Sequence, residues 1–195
     1  MKKLIKRAIW NRASASDEEL MAATVEDLPG AFEELFERHN LQLFNYLARL
    51  VGNPKLAEEL AQESFLKAFR GRLSFKTGNL FRPWLWTIAK NTCRDHWRKK
   101  GELSLEQLED SGGAPIELSD QQKGALEQLI EAQEASQLRR GILSLPVAQR
   151  EALSLWLSDE MSFKEIGQVL KRSPQAAKNL VSRAKHELKK YLERE

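Results

Sequence analysis

Residues 162–192 read SFKEIGQVLKRSPQAAKNLVSRAKHELKKYL, and the spacing of their caps and apolar positions decides the fold. Ser162 and Glu165 have the separation of a capping box, in which a hydroxyl and a carboxylate satisfy orphan amides at a helix start. Phe163, Ile166, Val169 and Leu170 then mark one inward face, with Gly167 inside the helix. Lys171-Arg172-Ser173 leaves room for a tight turn. Pro174 suits the first position of the next helix, because the amide it lacks would be unpaired there anyway. That second helix runs to about Leu192, roughly 19 residues and about 28 Å. It turns Ala177, Leu180, Val181, Ala184, Leu188 and Leu192 inward. Gln175, Lys178, Asn179, Ser182, Arg183, Lys185, His186 and Lys189 face outward. A short helix, a tight turn and a long basic helix make a helix-turn-helix, whose second helix enters the DNA major groove through its N-terminal residues. Ala176 and Ala177 keep that end slim enough for close approach. A three-helix bundle with no DNA role is the competing reading.

Upstream, Leu145-Pro146 opens another helix, where Leu153, Leu155, Trp156 and Leu157 are expected to be tightly buried. A cap of Ser119 with Gln122 opens a helix expected to end near Leu143. Residues 102–119 contain Gly112-Gly113, Pro115 and several acids without periodicity, and read as an exposed linker.

The first half is also helical. Ser16 and Glu19 form a second capping box, opening a helix from Asp17 to about Thr24. After Leu28-Pro29-Gly30, a long amphipathic helix carries Phe32, Leu35, Phe36, Leu43, Leu47 and Leu50 to Gly52. Asn53 caps the next helix and Pro54 starts it. That helix, to Arg70, is expected to bury Leu56, Leu60, Phe65, Leu66 and Phe69. Its polar face of Glu58, Glu59, Gln62 and Glu63 suits either a basic protein partner or plain solvation. Residues 79–100, NLFRPWLWTIAKNTCRDHWRKK, interleave Phe81, Trp84, Trp86 and Trp97 with six cations. Cations neutralise phosphates and rings stack on unpaired bases, although a core helix with a solvated basic face has the same composition.

Charge is unevenly placed. Residues 1–100 carry 18 basic and 12 acidic residues, and residues 138–195 carry 12 and 7, whereas residues 101–137 carry 1 and 9. Two basic bodies therefore flank an acidic connector. The single Cys93 excludes an internal disulfide and a cysteine zinc cluster and fits a reduced, cytoplasmic compartment. No run approaches the roughly 18 apolar residues of a membrane span. The basic N-terminal leader suits a solvated tail or an anionic surface. Three scattered histidines, no Gly-rich phosphate loop and no paired-carboxylate context argue against an enzyme, a metal site, a cofactor or a small-molecule substrate.

Read together, these segments resemble an extracytoplasmic-function sigma factor, of the sigma-70 family. The resemblance lies in AFEELFERH (31–39), GNPKLAEELAQESFLKAF (52–69), FRPWLWTIAKN (81–91), LPVAQRE (145–151) and the helix-turn-helix, and spans most of residues 16–192. It implies an all-α chain with three parts. A four-helix sigma region 2 occupies 16–101, a flexible acidic linker 102–119, and a helix-turn-helix sigma region 4 occupies 120–195. It implies that Glu59, Gln62 and Glu63 contact core RNA polymerase. It also implies that Lys76, Asn79, Arg82, Trp84, Lys90, Asn91, Arg94 and Arg98 hold the melted minus-ten element, with Trp84 open to either stacking or packing. Arg150, Arg172, Gln175, Lys178, Asn179, Ser182 and Arg183 then meet the minus-thirty-five element. Leu180 stands where the family often carries Arg, so the promoter read is expected to differ. The linker suits either a nucleic-acid mimic inside polymerase or a solubilising tether. Promoter DNA, core polymerase and an anti-sigma factor are the partner classes implied. The alternative is an autonomous helix-turn-helix regulator with a helical sensing or dimerisation domain.

Overall fold

The computed structural model describes residues 12–76, 78–101, 127–158 and 161–193. Among them are eight α-helices and two short 3-10 turns, and no strand. The first half holds α1 (Asp17–Val25), α2 (Ala31–Val51), α3 (Pro54–Arg70) and α4 (Phe81–Lys100). The second holds α5 (Glu127–Leu143), α6 (Val147–Trp156), α7 (Phe163–Leu170) and α8 (Pro174–Leu192). The expected linker and the Ser119/Gln122 cap lie outside the described residues.

Local chemistry sets these boundaries. Ser16 Oγ accepts from the Glu19 amide at 3.2 Å while the Glu19 carboxylate accepts from the Ser16 amide at 2.8 Å. The same reciprocal pair forms between Ser162 and Glu165 at the start of α7. Each such cap is worth about 0.5–2 kcal/mol. Gly52, at φ +67°, ends α2 in the left-handed region, and Asn53 Oδ1 accepts from the Leu56 amide to start α3.

α2 and α3 form a helical hairpin, with α4 packed on both and α1 laid along α2. Leu35, Leu43, Tyr46, Leu47 and Leu50 of α2 meet Leu60 and Phe65 of α3 and Phe81, Leu85, Trp86 and Cys93 of α4, all buried. α3 differs from the sequence expectation. Leu66 and Phe69 are 55% and 41% exposed. The buried row is instead Ala57, Leu60, Ala61, Ser64, Phe65 and Ala68, whose small members let α3 approach its neighbours closely. α1 is held to α2 by Asp17, which bonds His39 at 2.6 Å and Arg38 at 3.2 Å.

In the second half, Ile142, Leu145, Ala152, Leu153, Val181 and Ala184 form a small core of their own. Trp156 and Leu157, expected inside, are exposed at 38% and 42%, because at the end of α6 it is Ser154, Leu155 and Ser158 that face the buried side. Lys185 covers the Trp156 ring, its ammonium 3.3 Å from the centroid.

The two halves are packed together rather than merely tethered. α7 lies on α4, and α5 and α6 lie on α2. Val147, Leu155, Met161, Ile166, Val169 and Ala177 join the same buried cluster as Leu85, Trp86 and Cys93.

Candidate nucleic-acid and polymerase interfaces

The helix-turn-helix is built on a close backbone crossing. Lys171 adopts φ +54° at the end of α7, and the Arg172 amide donates back to Gly167 O at 2.8 Å. A Cβ on Gly167 would stand 2.7 Å from Arg172 O, so the turn closes this tightly over a hydrogen atom. Ser173 Oγ then accepts from the Ala176 amide at 3.2 Å and α8 begins at Pro174. Gln175, Lys178, Asn179, Ser182 and Arg183 are all exposed on one side of α8, and Arg172 is exposed at the turn. Gln175 Nε2 donates to Asn179 Oδ1 at 3.0 Å, so the two amides are presented as one unit.

On the first half, Lys76, Asn79 and Asn91 are exposed. Arg98 is exposed and pairs with Asp95. The Arg82 guanidinium lies over the Trp86 ring at 5.8 Å. Trp84 is half-buried, its ring 5.3 Å from Phe75 and 6.0 Å from Phe81, so packing holds part of it. A cleft of about 750 Å³ separates Asn79, Trp84 and Thr87 from Lys164, Glu165 and Gln168 of α7.

Three expected DNA contacts are placed differently, because the halves meet at them. Lys90 is buried and donates its ammonium to Val169 O of α7. Burial is what pulls its pKa below the ordinary lysine value. Arg94 is engaged in a two-pronged pair, Nε and Nη2 each 2.7 Å from a Glu151 carboxylate oxygen. That hydrogen bonding raises its pKa further. Arg150, expected at a phosphate, is 6% exposed. It donates to Leu50 O, Leu143 O and Leu145 O. Leu50 and Leu143 lie in the last turns of α2 and α5, so one cation satisfies the carbonyl ends of two helices, which favours positive charge there.

α3 turns Glu58, Glu59, Gln62 and Glu63 to solvent in one row with Leu66. Gln62 donates to Glu58 at 3.4 Å and Lys67 pairs with Glu63 at 2.8 Å.

Comparison with known proteins matches this arrangement in both halves. The Sigma-70 region 2 family matches residues 35–102, and the Sigma-70, region 4 family matches residues 135–188. The RNA polymerase sigma factor CarQ of Myxococcus xanthus is 33% identical over 164 residues, covering 83% of this chain and 89% of CarQ. The chain belongs to the extracytoplasmic-function sigma-70 family. It is an RNA polymerase sigma factor, a subunit that binds core polymerase and directs promoter-specific initiation. The ECF RNA polymerase sigma factor SigM of Mycobacterium tuberculosis is 30% identical over 182 residues, covering 93% of this sigma factor and 87% of SigM. The structure of CnrH in complex with the cytosolic domain of CnrY shares the fold, with a TM-score of 0.68 at 24% identity, covering 93% of this sigma factor and 99% of CnrH. Among the described residues of this sigma factor, no helix is long and apolar enough to cross a membrane.

Arg49 and Glu151, to which the sequence alone gives no role, tie the halves together. Arg49 Nη2 donates to Ser158 Oγ at 2.6 Å and to Ser154 O at 3.2 Å. Glu151 stands out in the sequence only as a lone carboxylate entering the run Ala152 to Leu157, and nothing local names its partner.

Proposed function

We propose that the sigma factor divides its work among three surfaces. Residues 16–101 form region 2 and residues 120–195 form region 4, joined by the acidic stretch 102–119. Core polymerase docks on α3 through Glu59, Gln62 and Glu63. The melted minus-ten strand is held by the loop at Lys76 and Asn79 and by Arg82, Trp84, Asn91 and Arg98, while Lys90 and Arg94 join the two halves. The minus-thirty-five element is read by Gln175, Lys178 and Asn179, with Ser182, Arg183 and Arg172 at the backbone. Arg150 acts indirectly, by holding the helix ends beside α6. The observation that carries this reading is the outward presentation of Gln175, Lys178, Asn179, Ser182 and Arg183 from one side of a helix entered by a tight turn.

The protein makes no bond of its own on this reading: it positions and opens DNA while polymerase performs the chemistry, in the cytoplasm. The related solved structure of the sigma factor RpoE in complex with the anti-sigma factor NepR from Bartonella quintana supports an anti-sigma factor as a further partner class. Purified core polymerase, supplied with a promoter library with and without this protein, tests the reading. Start-site-specific transcripts are expected only with the protein. Replacing Lys178 and Asn179 with Ala shifts minus-thirty-five preference and leaves core binding intact, whereas a loss of core binding would overturn the division of surfaces.

A further inference from the structure

The described chain begins at Arg12, and the contacts made there fix where residues 1–11 leave it. Arg38 donates to the carbonyls of Arg12, Ala13 and Ala15. The Arg12 side chain lies against Gly30, just before α2. From Arg38, the outer surface of α2 passes exposed Glu37 and Glu33 and arrives at Phe36, since successive residues of a helix stand about 100° apart. α3 continues this surface, because Phe36 packs on Phe65 at 4.8 Å and Phe32 on Phe69 at 5.1 Å. Phe36, Leu66 and Phe69 are exposed there, with Glu58 and Glu59 exposed beside them on α3. Among the described residues, Glu33, Glu37 and Glu59 make no ion pair. Single exposed apolar side chains are ordinary, but three together among unpaired carboxylates suit a basic segment with an apolar side.

The basic leader is such a segment. Lys2, Lys3, Lys6 and Arg7 supply cations and no acid precedes Asp17, while Leu4, Ile5, Ala8 and Ile9 recur with the spacing of one helix face. Crossing from Arg38 to Leu66 takes about one helix diameter, 10–12 Å, and one spacing between packed helices, 8–10 Å. Residues 1–11 reach up to about 36 Å when extended, so the chain is long enough.

We propose that residues 1–11 cross α2 and dock on Phe36, Leu66 and Phe69, with their cations among Glu33, Glu37, Glu58 and Glu59, and that core polymerase displaces them to reach α3. The competition rests on the reading of Glu59, Gln62 and Glu63 as the polymerase surface, whereas the docking does not. Tethering makes the contact intramolecular, with an effective concentration in the millimolar range, so modest contacts are enough to hold the leader. A membrane surface or DNA would use the same cations. Neither accounts for an apolar patch with free carboxylates beside the point where the leader starts.

The test places a nitroxide spin label on the leader of the full chain through Ala8→Cys, since Cys93 is buried and shielded from labelling. In methyl NMR spectra at low protein concentration, Leu66 is expected to lose most of its intensity and Leu188 of α8 none. Glu33→Lys with Glu37→Lys, both outside the polymerase set, is expected to weaken this broadening. Adding Lys3→Glu and Arg7→Glu is expected to restore it, which separates ion pairing from a local loss of fold. An unbroadened Leu66 overturns the docking. Broadening that grows with protein concentration assigns the leader to a second copy and overturns it too, as does a label immobilised only by phosphatidylglycerol vesicles or by duplex DNA. Core polymerase then reads the competition. Replacing Lys2, Lys3, Lys6 and Arg7 together with Gln is expected to tighten polymerase binding roughly three- to tenfold, the factor by which the undocked fraction rises. Unchanged affinity, with Leu66 broadened in the labelled chain, keeps the docking and overturns the competition. Glu59→Ala with Gln62→Ala isolates the underlying reading: polymerase affinity left intact by this pair removes the α3 surface, while the spin-label result stands by itself.

Discussion

Arg94 and Glu151, 57 residues apart in the chain, meet through two hydrogen bonds of 2.7 Å that join α4 to α6. Such a pair is strong only when both prongs are made, and an unpaired partner left buried is costly. Arg94 remains 31% exposed on its side chain, which lets water moderate the attraction. A double-mutant cycle with Arg94→Ala and Glu151→Ala, followed by urea denaturation, is expected to give a coupling of about 1–3 kcal/mol. Arg94→Lys is expected to recover less than half of it, because an ammonium cannot reproduce the fork. A coupling below about 0.5 kcal/mol would show that the apolar contacts alone hold the halves together.

The turn of the helix-turn-helix supplies a prediction of opposite signs at two positions. Gly167→Ala places a methyl group 2.7 Å from Arg172 O, which is backbone and has little freedom to yield. The expected cost is about 1–3 kcal/mol, a fall of roughly 2–10 °C in Tm for a chain of this size. Lys171, at φ +54°, lies in the region that glycine adopts without steric cost. Lys171→Gly is therefore expected to be neutral or stabilising by up to about 1 kcal/mol, with the lost lysine charge read separately by DNA affinity. Differential scanning calorimetry of the two variants decides between this turn and a looser one.

Asp17 gives the first half a defined acid sensitivity. Burial works against its charge, but the His39 bond and then the Arg38 bond outweigh it and hold the carboxyl below its ordinary value of 3.8. Because the folded value is the lower one, the stabilisation is fully present above 3.8 and is lost as the pH falls through the folded value. Asp17→Asn is expected to melt below wild type at pH 7 by an amount equivalent to about 1 kcal/mol, and the gap is expected to close in the acid range. Parallel thermal melts of both proteins from pH 7 downward check this. A gap that stays constant would mean that the carboxylate charge contributes nothing.

Features decided within a few residues were legible in the sequence, and features decided across the chain were not. The Ser16/Glu19 and Ser162/Glu165 boxes, Asn53-Pro54 and the limits of α3 follow from contacts three or four residues apart. The fates of Arg150 and Glu151 depend on partners as distant as Leu50 and Arg94, which no local pattern specifies. Lys90 is intermediate. It lies four residues from Trp86 and three from Cys93, on the buried side of α4, while its neighbour Asn91 turns outward. Helical spacing thus held the distinction, but a lysine in a basic run reads as surface until its burial is counted. Leu66 and Phe69 misled for the converse reason, since apolar type suggested core where the row of small residues in α3 formed the packing face.

Gln175 and Asn179 carry the last prediction, because the hydrogen bond from Gln175 Nε2 to Asn179 Oδ1 makes their base-reading groups interdependent. With that bond made, Gln175 keeps Oε1 and its second Nε2 hydrogen for a base edge and Asn179 keeps Nδ2 and one Oδ1 lone pair, and an amide paired in this way cannot rotate freely to suit another base. Each good pair of contacts to a base discriminates by about 1–3 kcal/mol. Gln175→Ala is therefore expected to relax preference at its own position and also at the one met by Asn179, whose amide it no longer orients. The double variant is expected to lose less than the sum of the two single losses, by at least about 0.5 kcal/mol. Selection from a randomised minus-thirty-five library, carried out with polymerase holoenzyme and each variant, measures this directly. Strictly additive losses at separate positions would mean that the two side chains read DNA independently and that their mutual hydrogen bond is given up on binding.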